Sequence, residues 1–381
     1  MSELGDKSLE FHRKLKGKVG VAAKARLRTT RDLSLFYTPG VGAVASYLAK
    51  HKNETANLTM KNNSVAVISD GSAVLGLGNI GPEGAIPVME GKAMIFKEFA
   101  GIDAFPIVLA TQNTDEIVKT IVNISPVFGG INLEDFSAPR CFEIERQLIE
   151  ALNIPVMHDD QHGTAIVVLA GLINAFRVVK KSLAKSKIVI FGAGAAGTAI
   201  TKILVKSGVK NIIVLDSKGI INRERAGLNI HKKELARITN KKNIAGTLDD
   251  AVTGADALIG VSPKPGAFKP KHIKKMNQKP IIFALANPLP EILPSEALKA
   301  GAFIAASGRS DFKNQINNAL AFPGVFRGAL DHKVKKITDT MKINAAKELA
   351  ALVSSPTPEH IIPSVLDKRV VKTVASAIRL F

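Results

Sequence analysis

The sequence has no tryptophan, two tyrosines and one cysteine in 381 residues. The single cysteine, Cys141, excludes an intrachain disulfide and any metal cage built from cysteines alone, and it suits a reducing cytoplasm. With so few large aromatic rings, platforms for stacking nucleic-acid bases are scarce. Long uncharged apolar runs are missing too, and none approaches the ~18 residues of a membrane span. The opening MSELGDKSLEFHRKLKGK lacks the apolar stretch of a secretory signal, and Glu3, Asp6 and Glu10 argue against a transit peptide. No fixed-period repeat or low-complexity tract occurs. These absences lead us to expect a soluble, cytoplasmic protein with no membrane partner.

What is present is a globular composition, 46% hydrophobic and 22% charged, in a length that suits two domains or one large α/β unit. Basic residues exceed acidic ones by 52 − 33 = 19, but the excess is regional. Residues 1–160 carry 17 basic and 19 acidic side chains, whereas residues 161–381 carry 35 and 14. The lysines of the second half are scattered in short pairs such as Lys180-Lys181 and Lys274-Lys275, without interleaved aromatics. They read as a solvated surface rather than a nucleic-acid site, so no nucleic-acid partner is expected.

Apolar periodicity organises the chain as alternating strands and helices. Strands are expected at 64–68, 105–110 and 154–160, with helices over 86–99, from about Asn113 to Asn123, and over 141–152. A strongly apolar helix, Thr164 to Val179, leads into a second series: strand 187–191, helix 195–207, strand 211–215, then strands at 257–262, 280–286 and 303–307. From residue 313 the pattern is helical, broken by Pro323 and by 354–360. This order predicts an α/β protein with mostly parallel sheets in two domains, 1–160 and 161–381, whose C-terminal helices pack on either one.

The pattern G-x-G-x-x-G occurs twice. Gly76-Leu-Gly78-Asn-Ile-Gly81 runs into Pro82-Glu83-Gly84 and reads as a loop, with no clean helix start and no surrounding strand–helix unit. Gly192-Ala193-Gly194-Ala195-Ala196-Gly197 instead lies between a β-branched strand and a small-residue helix, and the next strand ends in Asp216, 19 positions after Gly197. Glycines there allow a tight turn and close backbone approach, the helix start faces pyrophosphate, and the terminal acid accepts the ribose hydroxyls. The alternative is a tight turn without a ligand, but the complete unit predicts a Rossmann-type dinucleotide site. Asp216 favours NAD by repelling the extra phosphate of NADP, while Lys218, two residues on, could receive that phosphate.

Two further segments are too polar for core strands. Glu134-Asp135 and Asp159-Asp160 are adjacent acid pairs, the second at a predicted strand end before a helix. Each pair alone reads as helix capping or solvation. Brought together, such carboxylates need a cation between them, and oxygen ligands suit Mg²⁺ or Mn²⁺ better than Zn²⁺. His158 and His162 lack a third nearby nitrogen or sulfur ligand and read as structural. Tyr37 in a Thr-Pro-Gly turn and Lys92 at a helix start are bland when taken singly.

Taken together, DLSLFYTPGV (32–41), VISDGSAVLGLGNIGPEGAIPVMEGKAMIFKEFAGID (67–103), INLEDFSAPRCFEIE (131–145), IPVMHDDQHGTA (154–165), FGAGAAG (191–197), FALANP (283–288) and GRSDFKNQINNALAFPGVFRGALD (308–331) resemble the malic enzymes of the short prokaryotic type. The resemblance spans roughly residues 15–375. It implies oxidative decarboxylation of L-malate to pyruvate and CO₂ with NAD or NADP and a divalent metal, in a homodimer. It further implies that Glu134, Asp135 and Asp160 hold the metal, that Lys92 is the general base oriented by Asp159, and that Tyr37 protonates C3. Asn287 and Asn318, with Asn317 as a neighbour, would meet substrate carboxylate and nearby cofactor groups. One departure stands out: larger malic enzymes place a substrate-binding arginine where this chain has Ala73. Three rivals differ testably: an amino-acid dehydrogenase needs no carboxylate metal site, an oxaloacetate decarboxylase would not reduce NAD, and a basic nucleotide- or nucleic-acid-binding protein leaves the acidic residues unexplained.

Overall fold

The computed structural model describes residues 3–380, in which two separate sheets account for the strands. The first has β1 (Ser64–Ser69), β2 (Asp103–Val108), β3 (Gly130–Leu133) and β4 (Val156–His158), in the order β2-β1-β3-β4 and parallel throughout. The second contains β5 (Lys187–Phe191), β6 (Asn211–Asp216), β7 (Gly219–Ile220), β8 (Ala257–Gly260), β9 (Ile281–Ala284) and β10 (Ile304–Ser307), in the order β10-β9-β8-β5-β6-β7. Only the short β6–β7 pair is antiparallel. This is the expected α/β architecture, with a Rossmann-type second sheet. In both sheets the chain adds a strand on one side of the first strand and then crosses to the other side. The resulting switch points, β1/β3 and β5/β8, open crevices at the strand carboxyl ends.

One helix joins the two halves. Asp159–Val179 has fifteen buried residues among its 21, and its apolar side chains belong to a core shared by Val65 and Val67 of the first sheet and Ile188 and Ile190 of the second. By length and composition it could cross a membrane, so the sequence held a longer apolar stretch than expected, but protein surrounds it. The helix Phe322–Asp331 returns to the first half, where Phe322 and Phe326 meet the edge of Phe96 at ring separations of 4.8 and 5.6 Å. Each such pair adds about 1 kcal/mol beyond its buried area.

Three sequence expectations need correction. The helix expected over 86–99 runs Gly81–Ala100 and starts at the last glycine of the first glycine pattern, which follows β1. Pro82 occupies its first turn, where a missing N–H costs nothing and the fixed φ suits the helix. Residues 130–133 are a fully buried strand despite the polar residues around them, because Ile131 and Leu133 fill the core beneath. In the tail, Pro323 begins the helix Phe322–Asp331 rather than breaking one, and helices Asp339–Ala351 and Arg369–Ala377 follow.

The segment before β1 contrasts with all this. Helices Glu3–Leu15, Thr30–Phe36 and Val41–Lys50 bury no residue. Among the described residues, 14 of the 29 exposed large apolar side chains fall between Leu4 and Tyr47.

Candidate active site

Both acid pairs sit at the carboxyl edge of the first sheet. Glu134 and Asp135 immediately follow β3, and Asp159 and Asp160 open the helix that follows β4. Asp135 has φ +58°, a left-handed conformation that a short acidic side chain tolerates. Its N–H donates to Asp160 Oδ2 at 2.8 Å. Ligand oxygens of Glu134, Asp135 and Asp160 all lie within 4.8 Å of one another. Burial and the neighbouring carboxylates push Glu134 well above its ordinary range, and Asp135 up to about 8. Asp135 Oδ2 is buried without a hydrogen-bond partner. A hard divalent cation fits this all-oxygen, mutually repelling set. Neither histidine belongs to the set: His158 Nδ1 lies 3.6 Å from Asp160 Oδ2, outside hydrogen-bond distance, and His162 hydrogen-bonds Glu145 and Lys342.

Lys92 approaches from the helix Gly81–Ala100. Its ammonium pairs with Asp159 and lies 3.0 Å from Glu134 Oε1, with the Phe322 ring 4.2 Å away. Burial alone would lower its pKa, but Asp159, Glu134 and Asp160 outweigh burial and hold the proton tightly. Asp159 is itself fully buried and pushed up to about 6, chiefly by burial. Gly163, one turn on, leaves room for this carboxylate, because a Cβ there would collide with Asp159 Oδ1.

The loop Asp70–Ile80 is fastened to the same edge. Asp70 is buried against Arg140 at 2.8 Å, Ser72 Oγ accepts the Ser137 N–H, and Ala73 N–H donates to Asp135 O. Gly76 meets the backbone of Asn287, and a Cβ at Gly76 would overlap that carbonyl oxygen. The glycine pattern read as a plain loop is therefore part of the site wall.

Across the crevice, the second glycine pattern turns from β5 into the helix Ala195–Lys206. A Cβ at Gly192 would press on Val261 O, and one at Gly197 on Gly192 O. Gly194, Ala195 and Ala196 line the cleft with small side chains, as close approach of a pyrophosphate requires. Asp216 ends β6, and its carboxylate is already engaged: Lys218 N–H donates to Oδ1, while Arg225 at 2.5 Å and Lys232 at 2.7 Å reach Oδ2. Despite burial, these partners hold it down at about 2. Arg225 and Lys232, which the sequence reading did not name, are thus the cations paired with Asp216, while Lys218 meets it through its backbone N–H.

A cleft of about 910 Å³ connects the two edges. Its walls include Lys92, Glu134, Asp135, Asp160, Gly194, Ala195, Ala196, Asn287, Asn317 and Asn318, so most residues named from sequence converge. Asp159 acts from behind Lys92. Gly192 and Gly197 shape the turn, and Asp216 lies beyond the lining. Tyr37 does not converge: it caps the helix Thr30–Phe36, is 65% exposed and does not line the cleft. Two titratable lining residues went unnoticed in the sequence, His12 and Lys18. Only their shared origin in a basic segment too polar for a core hinted at them.

Comparison with known proteins agrees with this geometry. Residues 16–149 match the family model "Malic enzyme, N-terminal domain", and residues 161–379 match "Malic enzyme, NAD binding domain". The chain is 52% identical to the NAD-dependent malic enzyme of Geobacillus stearothermophilus over 98% of its own length and 78% of that protein's. It is 44% identical to the NADP-dependent malic enzyme of Halomonas elongata, over 97% and 92% of the two chains. Among solved structures, the NAD-dependent malic enzyme of Thermotoga maritima superposes with a TM-score of 0.94 at 50% identity, covering 98% of each chain.

Proposed function

The chain belongs to the malic enzyme family, and on that premise we propose how its cleft oxidises and decarboxylates L-malate to pyruvate and CO₂ with reduction of a nicotinamide dinucleotide. The observation that carries the reading is the meeting of Glu134, Asp135 and Asp160 beside the Lys92–Asp159 pair, at the mouth of a dinucleotide crevice.

Glu134, Asp135 and Asp160 hold Mg²⁺ or Mn²⁺ in this proposal. Bound there, the ion supplies Lewis-acid stabilisation to the substrate oxygen and offsets the carboxylates' hold on the Lys92 proton. Lys92 removes the C2 hydroxyl proton as C2 is oxidised. Asp159 keeps the ammonium pointed at that oxygen, and its own burial leaves it little freedom to swing away. Asn287, Asn317 and Asn318 orient the substrate and the nicotinamide end of the cofactor. The Phe322 ring closes the back of the site against water. After CO₂ departs, Tyr37 delivers a proton to C3.

Because Tyr37 lies off its own chain's cleft, it performs that step in a second subunit, and the enzyme is a homodimer. The unburied N-terminal helices and their exposed Leu33, Leu35, Phe36 and Val44 support this, since such surface is costly to leave in water. NAD is the preferred cofactor, on the strength of the ionised Asp216. A cytoplasmic location belongs to the same proposal and rests on the single Cys141.

Replacing Asp160 with alanine tests the metal assignment. The variant should keep its circular dichroism spectrum and its affinity for NAD, yet lose Mn²⁺-dependent turnover. An unchanged Mn²⁺ titration of activity would overturn the assignment.

A further inference from the structure

The cleft has a charge problem once malate is placed in it. Its substrate is a dianion, and the described lining residues include three acids, Glu134, Asp135 and Asp160, against two lysines, Lys18 and Lys92. Lys92 is already bound to Asp159 and Glu134. Two nearby arginines are no better placed: Arg140 is paired with Asp70 and Arg309 with Asp311, and neither lines the cleft.

Lys18 is different. Its Nζ donates to the carbonyl of Pro87 at 2.6 Å, and among the described residues no carboxylate lies within 4.0 Å of that nitrogen. The backbone N–H of Lys18 donates to Glu90, which fastens the segment to the helix that carries Lys92. Lys18 Nζ lies over Gly91, 3.5 Å from where a Cβ at that residue would stand. The ammonium therefore stands over the residue adjoining Lys92, half-buried and with two of its three protons free for an anion. His12, on the helix before it, lines the same wall with a screened Nε2 that has no partner.

Building on the malic enzyme reading, we propose that Lys18 is the cation that recognises the substrate carboxylate retained in pyruvate. The chemistry selects between the two carboxylates. A cation fixed on the departing carboxylate would stabilise the anion over neutral CO₂ and raise the barrier to its loss. On the retained carboxylate the charge is the same in substrate, transition state and product. Such binding is uniform along the reaction, so its removal acts on KM and leaves kcat nearly unchanged.

The test is Lys18→Met, which keeps the length of the stem, alongside Lys18→Arg. Steady-state kinetics are measured with malate in the forward direction and with pyruvate and bicarbonate in reverse, and NAD affinity is measured by fluorescence titration without substrate. The expected result is a rise of about tenfold in KM for both malate and pyruvate, the scale of a lost charged hydrogen bond. Both kcat values and the NAD affinity should hold, and Lys18→Arg should restore much of the loss. A rise confined to malate would overturn the choice of carboxylate. Unchanged KM values, or equal losses for substrate and NAD with no rescue by arginine, would reject the role altogether. Failure of the wild-type protein to turn over malate would instead reject the underlying reading.

Discussion

At the scale of single residues, the central tension of the proposed mechanism is that Lys92 must lose its proton to act as the base. Asp159, Glu134 and Asp160 hold the Lys92 proton in the protein alone, so the base becomes usable only when positive charge offsets them. Lys92→Ala should accordingly lower malate oxidation by about 10²–10⁴-fold, the usual worth of general acid–base catalysis. Tyr37→Phe should spare the oxidation of malate and slow the later protonation. Stopped-flow measurement of the two phases, with oxaloacetate decarboxylation as a separate assay, distinguishes them. Near-normal oxidation by Lys92→Ala would remove it from the mechanism. The two acid pairs were legible in residue type and local spacing, whereas Lys92 and Tyr37 are bland singly and were picked out only by the resemblance to the malic enzymes. Lys18 was not, because a lysine in a basic, irregular segment carries no mark of which wall it will line.

Elements decide how those side chains are held. Helix Arg140–Ala151 brings Glu145 to the start of the helix carrying Asp159 and Asp160, where it accepts from His158 N–H, Gln161 and His162. Burial opposes its charge, yet His162, Lys342 and His158 prevail and hold it at about 2, below its ordinary value of 4.5. A depressed acid stabilises the fold above its unfolded pKa, and that contribution disappears as pH falls from about 4.5 toward 2. Glu145→Gln should therefore cost about 3 kcal/mol at neutral pH in denaturant titrations and flatten the acid limb of stability over that window. An unaltered acid profile would show that Glu145 is not its source. On the second sheet, Arg225 and Lys232 crowd Asp216 and soften its repulsion of a phosphate. Removing both as alanines should raise the NAD over NADP ratio of kcat/KM about tenfold, the scale of one charge-assisted contact. A ratio moving toward NADP would mean that Asp216 does not govern cofactor choice. The strand–glycine–helix unit of the second sheet was readable because all its parts are adjacent in sequence. The first glycine pattern was misread because Pro82 looks like a helix breaker when it is an ordinary first-turn residue, and because Gly76 is needed only once Asn287 packs on it.

The whole molecule is two mostly parallel sheets joined by one buried helix, with the proposed reacting groups lining the cleft at the sheet edges. Alternating apolar patterns foretold both sheets, but the way the chain's end closes on its beginning through Phe96, Phe322 and Phe326 is a long-range contact with no local signature. The three N-terminal helices bury no residue in their own chain, and in the proposed dimer a second chain covers them. Sedimentation should give a dimer at working concentration. Mixed dimers of Tyr37→Phe and Lys92→Ala chains should regain a fraction of activity, because one of the two shared sites then has both wild-type residues. A monomer, or no recovery despite proven subunit exchange, would refute the shared site. The measurement that bears most directly on the account as a whole is an assay of the purified protein with L-malate and NAD, in Mn²⁺ and in EDTA, following reduced cofactor and pyruvate together. Equal amounts of both products in Mn²⁺ and none in EDTA is the predicted result; cofactor reduction without pyruvate, or turnover that survives EDTA, would contradict it.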